Sequence, residues 1–100
     1  MSDVQQDTPL LTEESRPKLA PFVRMQRDEV RESWVLQAPE RILILDETGK
    51  AILDRCGEGR SLKEITETLA AEYDAPPGEI AEDVMAVLTL LAERGFLEYD

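Results

Sequence analysis

Histidine is absent from this sequence of 100 residues, and cysteine and tryptophan occur once each. Without an imidazole there is no ordinary general base and no serine or cysteine triad of the usual kind. The lone Cys56 forms no internal disulfide, and one thiol without histidine excludes the zinc and cluster patterns that need three or four soft ligands. The calcium-loop spacing with its central glycine is not found either. No apolar run approaches the roughly 18 residues a membrane span needs, and Met1–Asp7 carries neither the basic nor the apolar region of an export signal. Positive charge is scarce: 11 Lys and Arg stand against 22 Asp and Glu, a net charge of −11. Such a chain repels polyanions, which argues against nucleic acid and anionic membrane as partners. The expectation is a cytoplasmic protein with no catalytic residues, no metal and no cofactor.

What is present suits one small core. The 42% hydrophobic content is adequate for a folded domain, and the length leaves room for one. Residues 1–18 are polar and acidic, with Pro9 and Pro17, and read as a flexible acidic tail ahead of a domain over 19–100. From Phe22 to Val30 a period of two predicts a half-buried strand, and Trp34–Ala38 a second strand paired with it. Pro39 interrupts the ladder, and Arg41-Ile42-Leu43-Ile44-Leu45 predicts a third strand.

Three helices follow. Asp46 is placed to cap a helix from Glu47 to about Cys56, with Gly57-Glu58-Gly59 as the turn after it. Ser61-Leu62-Lys63-Glu64 is a capping-box pattern, behind which Leu62, Ile65, Leu69 and Tyr73 form one buried stripe. Pro76-Pro77-Gly78 opens the last helix, whose inner face is Ile80, Val84, Val87, Leu88 and Leu91 and whose stop is Gly95. Phe96–Tyr99 is open between a short closing strand and simple packing of Phe96 and Leu97 on the helices. The order, three strands and then three helices, predicts an α+β fold with one sheet segregated from one helical layer.

The last helix holds Glu79, Glu82, Asp83 and Glu93 against Arg94 alone, unlike a reader of DNA base edges. Glu79 and Glu82 read as a solvated face rather than a catalytic pair, and Cys56 as a buried structural cysteine. The remaining mode is protein or peptide recognition. If Arg41–Leu45 lies at the sheet edge, its unpaired amides and carbonyls are able to accept an extended peptide as an added strand.

The stretch Pro39-Glu40-Arg41, Leu45, Ile52-Leu53-Asp54, Cys56-Gly57-Glu58-Gly59, Ile65, Leu69, Tyr73, Asp83-Val84, Leu88, Leu91 and Gly95 resembles the PqqD family of peptide chaperones of pyrroloquinoline quinone biosynthesis, over roughly residues 22–99. The resemblance implies a small winged-helix-like domain, a three-stranded antiparallel sheet packed against a three-helix bundle, that serves as a non-catalytic recognition element for a ribosomally made precursor peptide. It implies that the peptide PqqA adds beside the third strand, in a groove walled by the third helix, and is presented to the radical-SAM enzyme PqqE. Carried over by position, the peptide-binding residues are Arg41, Ile42, Leu43, Ile44 and Leu45, with Ala81, Val84, Met85 and Leu88 opposite. Period two sends only one of the sets Ile42/Ile44 and Leu43/Leu45 into the groove, and the sequence does not choose between them. The thioether of Met85 suits varied apolar contacts. A monomer or weak dimer is expected, since an open edge invites self-association. The alternative reading is an acidic winged-helix scaffold in a transcriptional or assembly complex.

Overall fold

The computed structural model describes residues 11–99. Its elements are β1 (Pro17–Leu19), β2 (Arg24–Asp28), β3 (Ser33–Ala38), β4 (Arg41–Leu45), α1 (Glu47–Asp54), α2 (Leu62–Tyr73), α3 (Pro77–Glu93) and β5 (Leu97–Tyr99). β2, β3 and β4 form an antiparallel sheet in that order, so β4 is an edge strand, and the three helices follow it in an α+β arrangement. A second ribbon, β1 against β5, was not expected from the sequence.

Local chemistry explains most boundaries. The Asp28 carboxylate accepts from the Val30 and Arg31 amides at 3.0 and 3.1 Å and pairs with the Arg31 guanidinium at 2.6 Å, which closes the β2–β3 turn. These partners hold the Asp28 carboxyl below its ordinary pKa, the Arg31 amide first among them. Pro39 and Glu40 make the two-residue turn between β3 and β4. Asp46 caps α1 by accepting from the Gly49 amide at 2.7 Å. The helix stops at Asp54, two residues before the expected end, because the Arg55 and Cys56 amides bond back three residues to Ile52 and Leu53. Ser61 and Glu64 form the reciprocal capping box the pattern predicted, and the Ser61 amide is the first cause of a lowered Glu64 pKa.

Of the tail expected over residues 1–18, residues 1–10 lie outside the described residues and residues 11–18 are built into the domain. The carbonyls of Ser15 and Glu13 accept from the Leu62 and Lys63 amides at 2.7 and 2.9 Å. Those are the first two donors of α2, which have no partner inside the helix. The third, at Glu64, is met by the Ser61 hydroxyl, so the whole first turn of α2 is satisfied. Pro17 is fully buried, and its carbonyl accepts from Gly57 at 3.0 Å. At the other terminus both alternatives hold together: Leu97–Tyr99 is a strand, and Phe96 and Leu97 are buried.

The core lies between one sheet face and the helices. Leu36 of β3 shares one buried cluster with Ile52, Ile65, Leu69, Leu88 and Leu91, each at most 2% exposed. Tyr73 departs from the expected buried stripe of α2 and is 59% exposed. It occupies the last turn before the left-handed cap Asp74, where the stripe has run past its packing partners and the ring stands at the mouth of two clefts.

Candidate functional site

The site follows from the register of β4. Pairing of Ala38 with Arg41 across the two-residue turn makes that the hydrogen-bonded pair, and Leu43 with Leu36 and Leu45 with Trp34 are the next two. The alternation turns the amides and carbonyls of Ile42 and Ile44 away from β3, toward the open edge of the sheet. Side chains alternate on the same period. Leu43 and Leu45 are partly buried against the core, whereas Ile42 and Ile44 are 46% and 55% exposed on the outer face. Leu43 and Leu45 thus face the helical layer, and Ile42 and Ile44 face away from it.

Two contacts fix how α3 lies relative to this edge. The Arg41 guanidinium donates to the Arg94 carbonyl at the C-terminal end of α3 and sits 4.7 Å from the centre of the Phe96 ring. Gly95 permits this, because its φ is +82° and an added Cβ would come 3.2 Å from Arg41 Nη2. At the other end, Glu47 and Thr48, just past β4, line a cleft together with Ile80, Asp83 and Val84 of α3. Strand and helix therefore run side by side in opposite senses. The lengths agree, about 13 Å from Arg41 to Leu45 at strand rise and about 16 Å from Asp83 to Arg94 at helical rise. Ile80, Val84, Val87, Leu91 and Arg94 recur at spacings of three and four and form the stripe of α3 that spans these two anchor points.

The four α3 residues expected opposite the strand are divided by the structure. Val84 is on the stripe but, like Leu88, is buried in the core. Ala81 and Met85 lie beside α2, lining with Leu62, Lys63, Thr66 and Glu67 a cleft that no β4 residue lines. Ile80, which the sequence reading did not include among the site residues, lines the cleft just past β4 with Glu47 and Thr48. The only available signal was helical period, and α3 is apolar around most of its circumference from Ile80 to Ala92, so periodicity does not single out one face.

Charge around the site is uneven. Lys50, the one base of α1, pairs with Asp54 at 2.7 Å and lies 4.3 Å from the centre of the Trp34 ring. Residues 77–93 of α3 contain no Lys or Arg. Cys56 is not an activated nucleophile: its Sγ donates to the Ile52 carbonyl at 3.4 Å, and burial pushes the thiol pKa up to about 12. No group of three or more His, Cys, Asp or Glu able to hold a metal occurs among the described residues, and none of their helices is long and apolar enough to cross a membrane.

A strand edge left open among the described residues, with a helix running along it, is the build of small modules that take up an extended segment as an additional strand. Comparison with known proteins narrows the class. A family-wide sequence profile described as "Coenzyme PQQ synthesis protein D (PqqD)" matches residues 33–97, and the chain belongs to the PqqD family. A PqqA binding protein of Rhodopseudomonas palustris (strain HaA2) is 44% identical over 87 residues, covering 87% of this chain and 85% of the relative. The solution NMR structure of the PqqD truncation of Methylobacterium extorquens PqqCD, described as a functional, stand-alone recognition element for ribosomally made and modified peptides, superimposes with a TM-score of 0.69 at 40% identity. It covers 82% of this chain and 87% of that one. A lasso peptide synthetase B1 protein complexed with the leader peptide shares the fold, with a TM-score of 0.71 at 22% identity over 83% of this chain and 98% of its own.

Proposed function

We propose that this protein is a non-catalytic, cytosolic peptide chaperone of pyrroloquinoline quinone biosynthesis, which binds the precursor peptide PqqA and presents it to the radical-SAM enzyme PqqE. PqqA adds as a strand beside β4, its backbone paired with the outward amides and carbonyls of Ile42 and Ile44. One set of its side chains lies over Leu43 and Leu45 toward Ile80, Val87 and Leu90, and the other packs on Ile42 and Ile44. Val84 and Leu88 support the wall from within, and Arg41 holds the strand against the end of α3. Ala81 and Met85 take a lesser part, since they face α2. The observation that carries this reading is the edge of β4, unpaired among the described residues and lying along α3, in a family with relatives named as PqqA binding proteins. The chaperone acts without chemistry of its own, by ordering a flexible peptide and raising its effective concentration at the enzyme.

The test is a two-dimensional amide NMR titration of the labelled chain with synthetic PqqA. Shifts concentrated at residues 41–45 and along Ile80–Leu91 are expected, followed by an increase in PqqE turnover when the loaded chaperone is added. An unchanged spectrum at saturating peptide removes the proposal.

A further inference from the structure

A cleft opens just past the end of β4, where Glu47 and Thr48 meet α3. It has a volume of about 240 Å³ between α1, α2 and α3, several times the roughly 30 Å³ occupied by a water molecule, and is floored by Ala51, Ile52, Leu69, Ile80 and Val84. Two exposed carboxylates, Glu47 and Asp83, stand on its rim, one on each side, and no Lys or Arg lines it. Neither carboxylate makes an ion pair among the described residues. The nearest base on α1, Lys50, is committed to Asp54 and the Trp34 ring, and α3 offers none. The cleft begins two residues beyond Leu45, where a strand lying on β4 would leave the sheet.

We infer that this cleft is a specificity pocket for the bound peptide, taking one apolar side chain while Glu47 and Asp83 select a Lys or Arg next to it in the peptide sequence. The inference rests on the strand-addition reading above and deepens it from main-chain pairing, which any extended segment satisfies, to a choice among sequences. Charge complementarity decides the occupant. An apolar residue flanked by acids would meet two uncompensated carboxylates on a surface that is already strongly negative, whereas a cation gains from both. The same argument disfavours the chain's own N-terminal residues 1–11, which include Asp3 and Asp7 and no base.

The experiment is calorimetric titration of the full chain and its E47Q/D83N variant with synthetic PqqA and with peptides in which each Lys or Arg is replaced singly by Gln, at low and high salt. I44D and T48F are measured in parallel. The expected result is that E47Q/D83N weakens PqqA binding by about three- to twentyfold at low salt and by less at high salt. One Gln peptide should bind the parent chain as weakly and be indifferent to E47Q/D83N. T48F, which fills the cleft without changing charge, should weaken every peptide. If E47Q/D83N and T48F bind all peptides like the parent while I44D binds poorly, the pocket is refuted and strand addition stands. If I44D also binds normally, the strand-addition reading falls and the pocket inference with it.

Discussion

Replacing Ile44 by Asp separates recognition at the edge from stability of the core better than any other change in β4. Ile44 is 55% exposed, while its cross-strand partner Val35 is 1% exposed. Complete burial of an isoleucine side chain is worth about 1.5–3 kcal/mol, so the exposed half leaves about 0.8–1.6 kcal/mol to be gained on binding. An added strand covers it from one side, and Ile44→Ala is therefore expected to lose about 0.4–0.8 kcal/mol, a two- to fourfold weakening. Ile44→Asp loses that contact and also forces a carboxylate against apolar peptide side chains, which brings the total above about 1.4 kcal/mol, or tenfold. The cost to folding is limited to the cross-strand contact with Val35, about 0.2–1 kcal/mol. Leu43 gives no such separation, because it packs against the core and a charge there strikes the fold first. The assay is titration with PqqA by calorimetry or NMR, with a thermal melt as control. N-methylation of alternate peptide residues should alternate between strong and negligible loss, since only every second peptide amide faces the strand. An I44D chain that melts near the parent temperature and binds PqqA equally well would refute the placement of the site.

Other consequences concern the scaffold. A chain beginning at residue 19 loses the Ser15 and Glu13 carbonyls that cap α2, as well as the β1–β5 ribbon, and should lose at least about 1–3 kcal/mol in a urea melt; undiminished stability would show that α2 needs no such cap. Phe22 occupies the third position of a turn closed by the Val23 amide on the Ala20 carbonyl at 3.1 Å, at φ +72° and 84% exposed. Glycine is the natural residue there, so Phe22→Gly should stabilise the fold by about 0.5–1 kcal/mol, the left-handed cost removed less the entropy glycine adds to the unfolded chain; a lower melting temperature would contradict this. Burial raises the Cys56 pKa from 9.0 to about 12, so the folded chain keeps a proton that the unfolded chain releases above pH 9, and stability falls as pH rises through that window. Cys56→Ala should flatten this alkaline loss in pH-dependent melts, and iodoacetamide at pH 8 should label the native thiol at least about a thousandfold more slowly than a free cysteine.

Much of the fold was legible in the chain because it depends on interactions a few residues apart. The Asp46 cap, the Ser61–Glu64 box, Pro77 in a first turn, the glycine stops, the period of two in β2 and the aliphatic run of β4 are local, and each appears in the structure at or near its expected place. Composition likewise determined the character of the surface: an acidic chain without histidine, poor in bases along its last helix. What required the tertiary structure was every relation across long sequence separation. Pro17-Lys18-Leu19 is too short and too polar to announce a strand, and it becomes one only because Leu97–Tyr99 lies beside it. That β4 is an edge strand follows from β2 pairing with the far side of β3, which no pattern within residues 41–45 records. The face of α3 turned to that edge was hidden by a helix apolar on nearly every side, and was decided by the Arg41 contact with Arg94 and by packing on α2. Local energies select helices, strands and caps, whereas the choice of which apolar face meets which partner belongs to the packing of the whole core.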